Sequence, residues 1–167
     1  LARNEAPPTH ISLQFQEHSV RKFYKVIVKG KMRDKKGIID EPIAPNNSWA
    51  GTMLVHKGGK PALTLYEVEE EFNHASLLNV EIKTGRTHQV RVHLAYIGHP
   101  LLVDEIYANT PAFFFSSIKR GYKQTDEEER PTISRLTLHA WQLTIIHPVM
   151  NKETTFTVPI PKDMEVV

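Results

Sequence analysis

The hydrophobic period of this chain changes at Thr84–Gly85, and the change restricts its fold more than any other feature. Before it, "SLLNVEIK" alternates, with Leu78, Val80 and Ile82 on one side and Asn79, Glu81 and Lys83 on the other. That is the pattern of a strand with one apolar face. After it, Val90, Leu94 and Ile97 recur at i, i+4 and i+7, which predicts one helical stripe. Gly98 and Pro100 then stop the helix. A strand that feeds a short helix must bury both apolar surfaces together.

The remaining elements read mostly as strands. "KFYKVIVKG" predicts a strand ended by Gly30, and "RLTLHAWQLTIIHP" and "ETTFTVPIP" predict two more, joined by a turn around Val149 to Lys152. "TMLVH" and "ALTLYEVEEEF" flank "KGGKP", which predicts a hairpin or tight connection. "THISLQFQEHSV" predicts a short helix with Thr9 as its N-cap and Ile11 and Phe15 on one face. The polar stretch from Lys31 to Ala50 reads as a long loop or arm, and Phe113 to Glu129 as an inserted loop. The order gives an α+β class: a mixed, largely antiparallel sheet with short flanking helices. A length of 167 residues suits one domain.

Composition narrows the function. No run approaches the ~18–20 apolar residues of a membrane span, so no membrane partner is expected. The chain has no cysteine, which removes disulfides, thiolate metal sites and cysteine nucleophiles, and fits a cytoplasmic protein. Its net charge is only +2, but the charges are unevenly placed. Arg21 to Lys36 holds eight basic residues against Asp34 alone, while acids gather at Glu67–Glu71 and Asp126–Glu129. That bipolarity hints at a polyanionic partner.

The stretch "KTGRTHQVRVHLAYIGHP" (Lys83–Pro100) contains no acid. His88 and His93 are five apart, which turns them ~140° from one another on a helix, so they cannot share a metal. No HExxH pair or GxSxG turn is present. A helix starting near Thr87 would aim its first N–H groups at the Thr84–Gly85–Arg86 turn, with Gly85 taking a backbone shape closed to most residues. Arg91 borders the apolar stripe and should be half-buried, where it needs a carboxylate or phosphate. Residue chemistry alone leaves two readings: an anion site, or arginines paired with structural acids such as Glu81 or Asp104. Trp49 and Trp141 read as core or interface residues rather than base-stacking ones.

Several motifs taken in order go further. "IKTGRTHQVRVHLAYIGHPLLVDEIYA" resembles the third motif of the RluA/RluD-type pseudouridine synthases, and "SLQFQEHSVRKFYKVIVKG" resembles the segment carrying their lysine-x-tyrosine motif. "GKPALTLYEVEEEF", "RLTLHAWQLTIIHP" and "FTVPIPKDM" are similar to their later strands and tail, so the resemblance covers nearly the whole chain. Val103 stands where relatives usually carry glycine.

The resemblance implies isomerisation of uridine to pseudouridine in structured RNA, ribosomal RNA before transfer RNA, without cofactor or metal. The C1′–N1 bond breaks, the uracil turns, and C5 bonds to C1′. It implies Arg91 as the arginine that pairs with a nucleophilic aspartate and Tyr24 as the tyrosine packed on the base. Lys22, Lys25, Arg86 and His88 are the expected RNA contacts. The aspartate itself belongs to an HRLDxxTSG motif ahead of a strand ending "LLLAR", and none of Asp34, Asp40, Asp104, Asp126 and Asp163 has that context. The expectation is therefore a catalytic domain over residues 1–167 without the N-terminal portion that bears the nucleophile, inactive alone. A non-catalytic RNA-binding module is the alternative.

Overall fold

The structure is a computed structural model that describes residues 6–118 and 129–165. Its elements are α1 (Ala6–Gln16), β1 (Arg21–Lys29), β2 (Lys36–Asp40), β3 (Ile43–Pro45), β4 (Met53–Val55), β5 (Leu63–Glu71), β6 (Ala75–Ile82), α2 (Gln89–Tyr96), β7 (Leu138–Ile146) and β8 (Glu153–Thr157). Six strands form one sheet in the order β2-β5-β6-β1-β7-β8, every neighbouring pair antiparallel. The α+β expectation holds.

Position in the sheet explains the two kinds of strand sequence. β6 alternates, with Leu78, Val80 and Ile82 buried beneath α2. β1 lies at the centre and its run Lys25–Val28 is buried throughout. Val26 and Val28 pack with Val90 and Leu94 of α2, whereas Ile27 packs into a second cluster with Val103, Phe113, Ile133 and Met164. A strand covered on both faces has no reason to alternate. Burial of these aliphatic side chains, at roughly 1.5–3 kcal/mol each, is the main force holding α2 to the sheet.

Several local expectations change. The polar stretch 31–50 is not all loop: β2 adds an edge strand to β5, with Ile39 buried and Ile38 69% exposed. β3 pairs with β4 in a separate two-stranded hairpin. The "KGGKP" stretch is the tight connection of the two alternatives: it links strands of different sheets and closes no hairpin between them. Gly59 is required there because a Cβ would lie 2.5 Å from the carbonyl carbon of Ile43. Helix α1 starts before Thr9, so Thr9 does not cap it. Its buried contact is Gln14, which receives the Ile146 N–H and donates to the Ile146 carbonyl, while Phe15 stays exposed.

Trp49 is 55% exposed in the β3–β4 turn, not part of the core. Trp141 matches its expectation more closely: it is partly buried, and its indole N–H donates to Asn79 Oδ1. The β7–β8 hairpin forms as expected. Of the stretch Phe113–Glu129, residues 119–128 lie outside the described residues, as do the opening Leu1–Ala2–Arg3 and most of the acidic Asp126–Glu129 cluster.

Candidate active site around Arg91

The turn before α2 is built differently from its sequence reading. The helix begins at Gln89, and the residue in the left-handed backbone region is His88 (φ 56). Gly85 is not among the described residues with positive φ, and a Cβ there would meet open space. What holds the turn is buried Gln89. Its Oε1 accepts from the Arg86 N–H (3.0 Å) and the Thr84 hydroxyl (2.8 Å). Its Nε2 donates to the Leu63 carbonyl and to Thr64 Oγ1, both at 3.0 Å. One side chain thus fastens the loop to the start of β5. Losing it would leave several buried polar groups unpaired.

Two residues on, Arg91 meets Asp104. Nε donates to Oδ2 and Nη2 to Oδ1, each at 2.8 Å, a bidentate ion pair. The Asp104 side chain is fully buried and that of Arg91 is 12% exposed. Oδ1 also accepts the N–H groups of Ile106 and Tyr107. Burial alone would push this carboxyl up, but the Arg91 hydrogen bond and the two backbone donors hold it below its ordinary value. Asp104 in turn raises Arg91. Glu81 is committed elsewhere, to Arg21 and Lys83. Of the acids named from the sequence, Asp104 is therefore the partner of Arg91.

The guanidinium lies over the Tyr107 ring, 4.9 Å from its centroid. The Tyr107 hydroxyl accepts the Met53 N–H (2.9 Å) and hydrogen-bonds His88 Nδ1 (2.8 Å). Burial, with Arg91 close by, lowers the His88 pKa despite the opposing charge of Asp104, so the imidazole is neutral at pH 7. Arg91 is consequently fixed on one edge by Asp104 and on one face by Tyr107. Its Nη1 has no hydrogen-bond partner among the described residues.

Tyr24 stands on β1 opposite Val80, half-buried against the cluster that includes Val26 and Val90. Burial raises its phenol pKa. It lines a groove of about 220 Å³ with Lys22, Ala140, Leu143 and Phe156. Tyr24 and Arg91 lie on the same side of the sheet, but no hydrogen bond or ring contact joins them.

The four expected RNA contacts are scattered. Lys22 is buried beside the Phe15 ring, and burial lowers its pKa. Lys25 faces the opposite side of the sheet, ion-paired to Glu69 and 4.2 Å from the centre of the Trp141 ring. Its ammonium is already engaged. His88 is held by Tyr107, and Arg86 makes one side-chain bond, from Nε to the Pro61 carbonyl (2.9 Å). Sequence reasoning missed Gln89 and Tyr107. A glutamine at the start of the helix, next to the first residue of the apolar stripe, was the available signal.

These contacts fall within a recognisable family. A family model described as RNA pseudouridylate synthase matches residues 1–96, which include both Tyr24 and Arg91. The chain belongs to the RNA pseudouridylate synthase family. Among curated relatives, ribosomal large subunit pseudouridine synthase D of Nitrosomonas europaea is 37% identical over 157 residues, covering 92% of this chain and 42% of that protein. The protein of the same description from Escherichia coli strain K12 is 33% identical, covering 98% of this chain and 48% of its own length.

Pseudouridine synthase folds also match in space. Human RNA pseudouridylate synthase domain containing 1 superposes with a TM-score of 0.74 at 28% identity, over 96% of this chain and 62% of that one. The human domain containing 4 protein, at 23% identity and a TM-score of 0.71, supports the fold alone. The chain spans about half the length of the curated relatives it matches. Among its described residues no helix is long and apolar enough to cross a membrane.

Proposed function

We propose that this chain forms part of the catalytic domain of an RNA pseudouridine synthase that isomerises uridine in structured, ribosomal RNA in the cytoplasm. Arg91 is the catalytic arginine in this reading and Tyr24 the tyrosine that packs on the flipped base. The observation that carries it is the half-occupied guanidinium of Arg91: Asp104 takes one edge and Tyr107 one face, and Nη1 is left without a partner among the described residues. An arginine kept charged and oriented in this way can hold a second carboxylate ionised in a dry site. The nucleophilic aspartate would come from polypeptide outside these 167 residues, because no aspartate of the chain has the family's motif.

In the reaction the aspartate assists departure of uracil from C1′ as the C1′–N1 bond breaks, the base turns, C5 bonds to C1′ and loses its proton, and N1 takes up a proton. Tyr24 offers an aromatic surface that returns part of the stacking lost on flipping. Lys22, Arg86 and His88 remain the RNA contacts; Lys25 is withdrawn because Glu69 already neutralises it.

The test is isomerisation of ribosomal RNA taken from a strain lacking the gene. The 167-residue chain alone should form no pseudouridine. Joined to the aspartate-bearing half of a close relative, it should form pseudouridine, and Arg91→Lys should slow that joined enzyme at least about a hundredfold because a point charge cannot replace the fork. Pseudouridine made at a catalytic rate by the chain alone, or full activity with Arg91→Lys, would refute the assignment.

A further inference from the structure

We infer that the cleft between the β3–β4 hairpin and the Gly85–Thr87 turn seats an RNA strand, with phosphates on Lys60 and Arg86 and a base on Trp49. This rests on the family reading above and adds the place where the RNA lies. The cleft has a volume of about 460 Å³, with Met53 and Ile43 among its apolar lining residues and Gly59, Lys60, Gly85 and Arg86 among the others. No acidic residue lines it. Lys60 makes no ion pair, and neither does its neighbour in the turn, Lys57, among the described residues. Arg86 spends only Nε, on a backbone carbonyl.

Several cations elsewhere on the surface are screened by acids, although Lys31 and Arg33, like Lys60, make no ion pair among the described residues. Lys25, Lys35 and Lys36 are neutralised by Glu69, Glu71 and Glu67, and Arg21 and Lys83 by Glu81. The cations beside the cleft lack such partners, so their field points outward and suits a polyanion.

Trp49 supplies the second observation. It is 55% exposed, yet its turn is held by hydrogen bonds that include Asn46 N–H to the Thr52 carbonyl, Ser48 N–H to Asn46 Oδ1, and the Thr52 hydroxyl to the Trp49 carbonyl. The hairpin that carries it also provides the wall of the cleft, through Ala44, Pro45 and Met53. An exposed aromatic on the hairpin that walls a cleft carrying unpaired cations is a combination by which proteins hold single-stranded nucleic acid.

Fluorescence anisotropy of the chain with a labelled single-stranded RNA, over a series of salt concentrations, tests this. Removing both cations, Lys60→Ala with Arg86→Ala, should lower affinity at least about tenfold at low salt. The log–log salt slope should become shallower by about 1.4, since each phosphate contact on a single strand contributes about 0.7. Trp49→Ala should lower affinity roughly five- to hundredfold and leave the slope unchanged. The pair Arg21→Ala with Lys36→Ala, cations already neutralised, is the control and should change neither. Melting temperatures confirm that each variant is folded.

The inference is overturned if the parent chain binds no RNA, if the control loses as much as the cleft variant, or if a poly-glutamate peptide competes as well as RNA. The family reading stands or falls separately, on pseudouridine formation by the joined enzyme. Activity there combined with unchanged binding by the cleft variants would sink the cleft alone.

Discussion

The rim on the β2–β5 side of the sheet and the cleft beside α2 both carry lysine and arginine, but several cations of the rim have counter-charges close by. Along the chain the rim looks the more basic of the two, because Arg21–Lys36 holds eight cations and one acid. Antiparallel pairing lays that run beside Glu67–Glu71: Lys36 and Glu67 are direct cross-strand partners, and Lys35 reaches Glu71. The cleft has fewer cations, Lys60 and Arg86, and no acid lines it. Charge density along a sequence is therefore a poor guide to charge at a surface. What counts is which residues the fold places opposite one another.

Three measurements would break or sharpen this contrast. The largest effect should come from Arg91, which is committed to a buried ion pair. Arg91→Ala strands the Asp104 carboxylate with no counter-charge, and should cost about 3–5 kcal/mol in urea unfolding of the chain. Lys60→Ala, which removes an exposed cation without a partner, should stay within about 0.5 kcal/mol. Equal losses would show that the buried pair and the free cations are not distinct.

Next is the tether that holds the strands of both regions against α2. His93 is fully buried, with Nδ1 hydrogen-bonded to Thr64 Oγ1 and Nε2 to the Glu41 carbonyl. Burial lowers its pKa in the folded chain, despite the Glu41 carbonyl and nearby acids. The unfolded chain therefore takes up this proton first as pH falls. The stability it contributes is complete above about pH 6.5, and it declines below that value by at most about 1.4 kcal/mol per pH unit. His93→Gln should remove that part of the slope. A variant with the parental pH profile would show that another group is responsible.

The smallest effect should be on the rim. Lys36→Ala breaks an exposed pair and should change stability by less than about 1 kcal/mol. Lys25→Ala should cost more, because Lys25 is buried, covers Trp141 and leaves Glu69 alone. If Lys36→Ala proves the more damaging, the rim is not the screened surface described above.

How legible the site was in the sequence depended on the range of the interactions involved. Periodicity placed β6 and α2, since each displays its buried face in its own residues. Arg91 was recognisable as half-buried from its place beside the stripe, and the motifs carried Arg91 and Tyr24 to the family. Turn chemistry was less legible. The glycine that drew attention, Gly85, has ordinary backbone freedom, and the strain falls on His88. Gln89 compensates through bonds to Leu63 and Thr64, far away in sequence.

By itself, then, the sequence determined the α+β class, the central strands, the helix that bears Arg91 and the family. Those follow from local period and from contiguous motifs, which need no knowledge of what lies opposite. Only the tertiary structure decided that Asp104 is the partner of Arg91, that Lys25 is spent on Glu69, that β2 and β3 arise within a polar stretch, and that Trp49 stands in solvent. Each depends on residues distant in sequence and close in space. A charge or an aromatic ring has no fixed role until the fold supplies or withholds its neighbour.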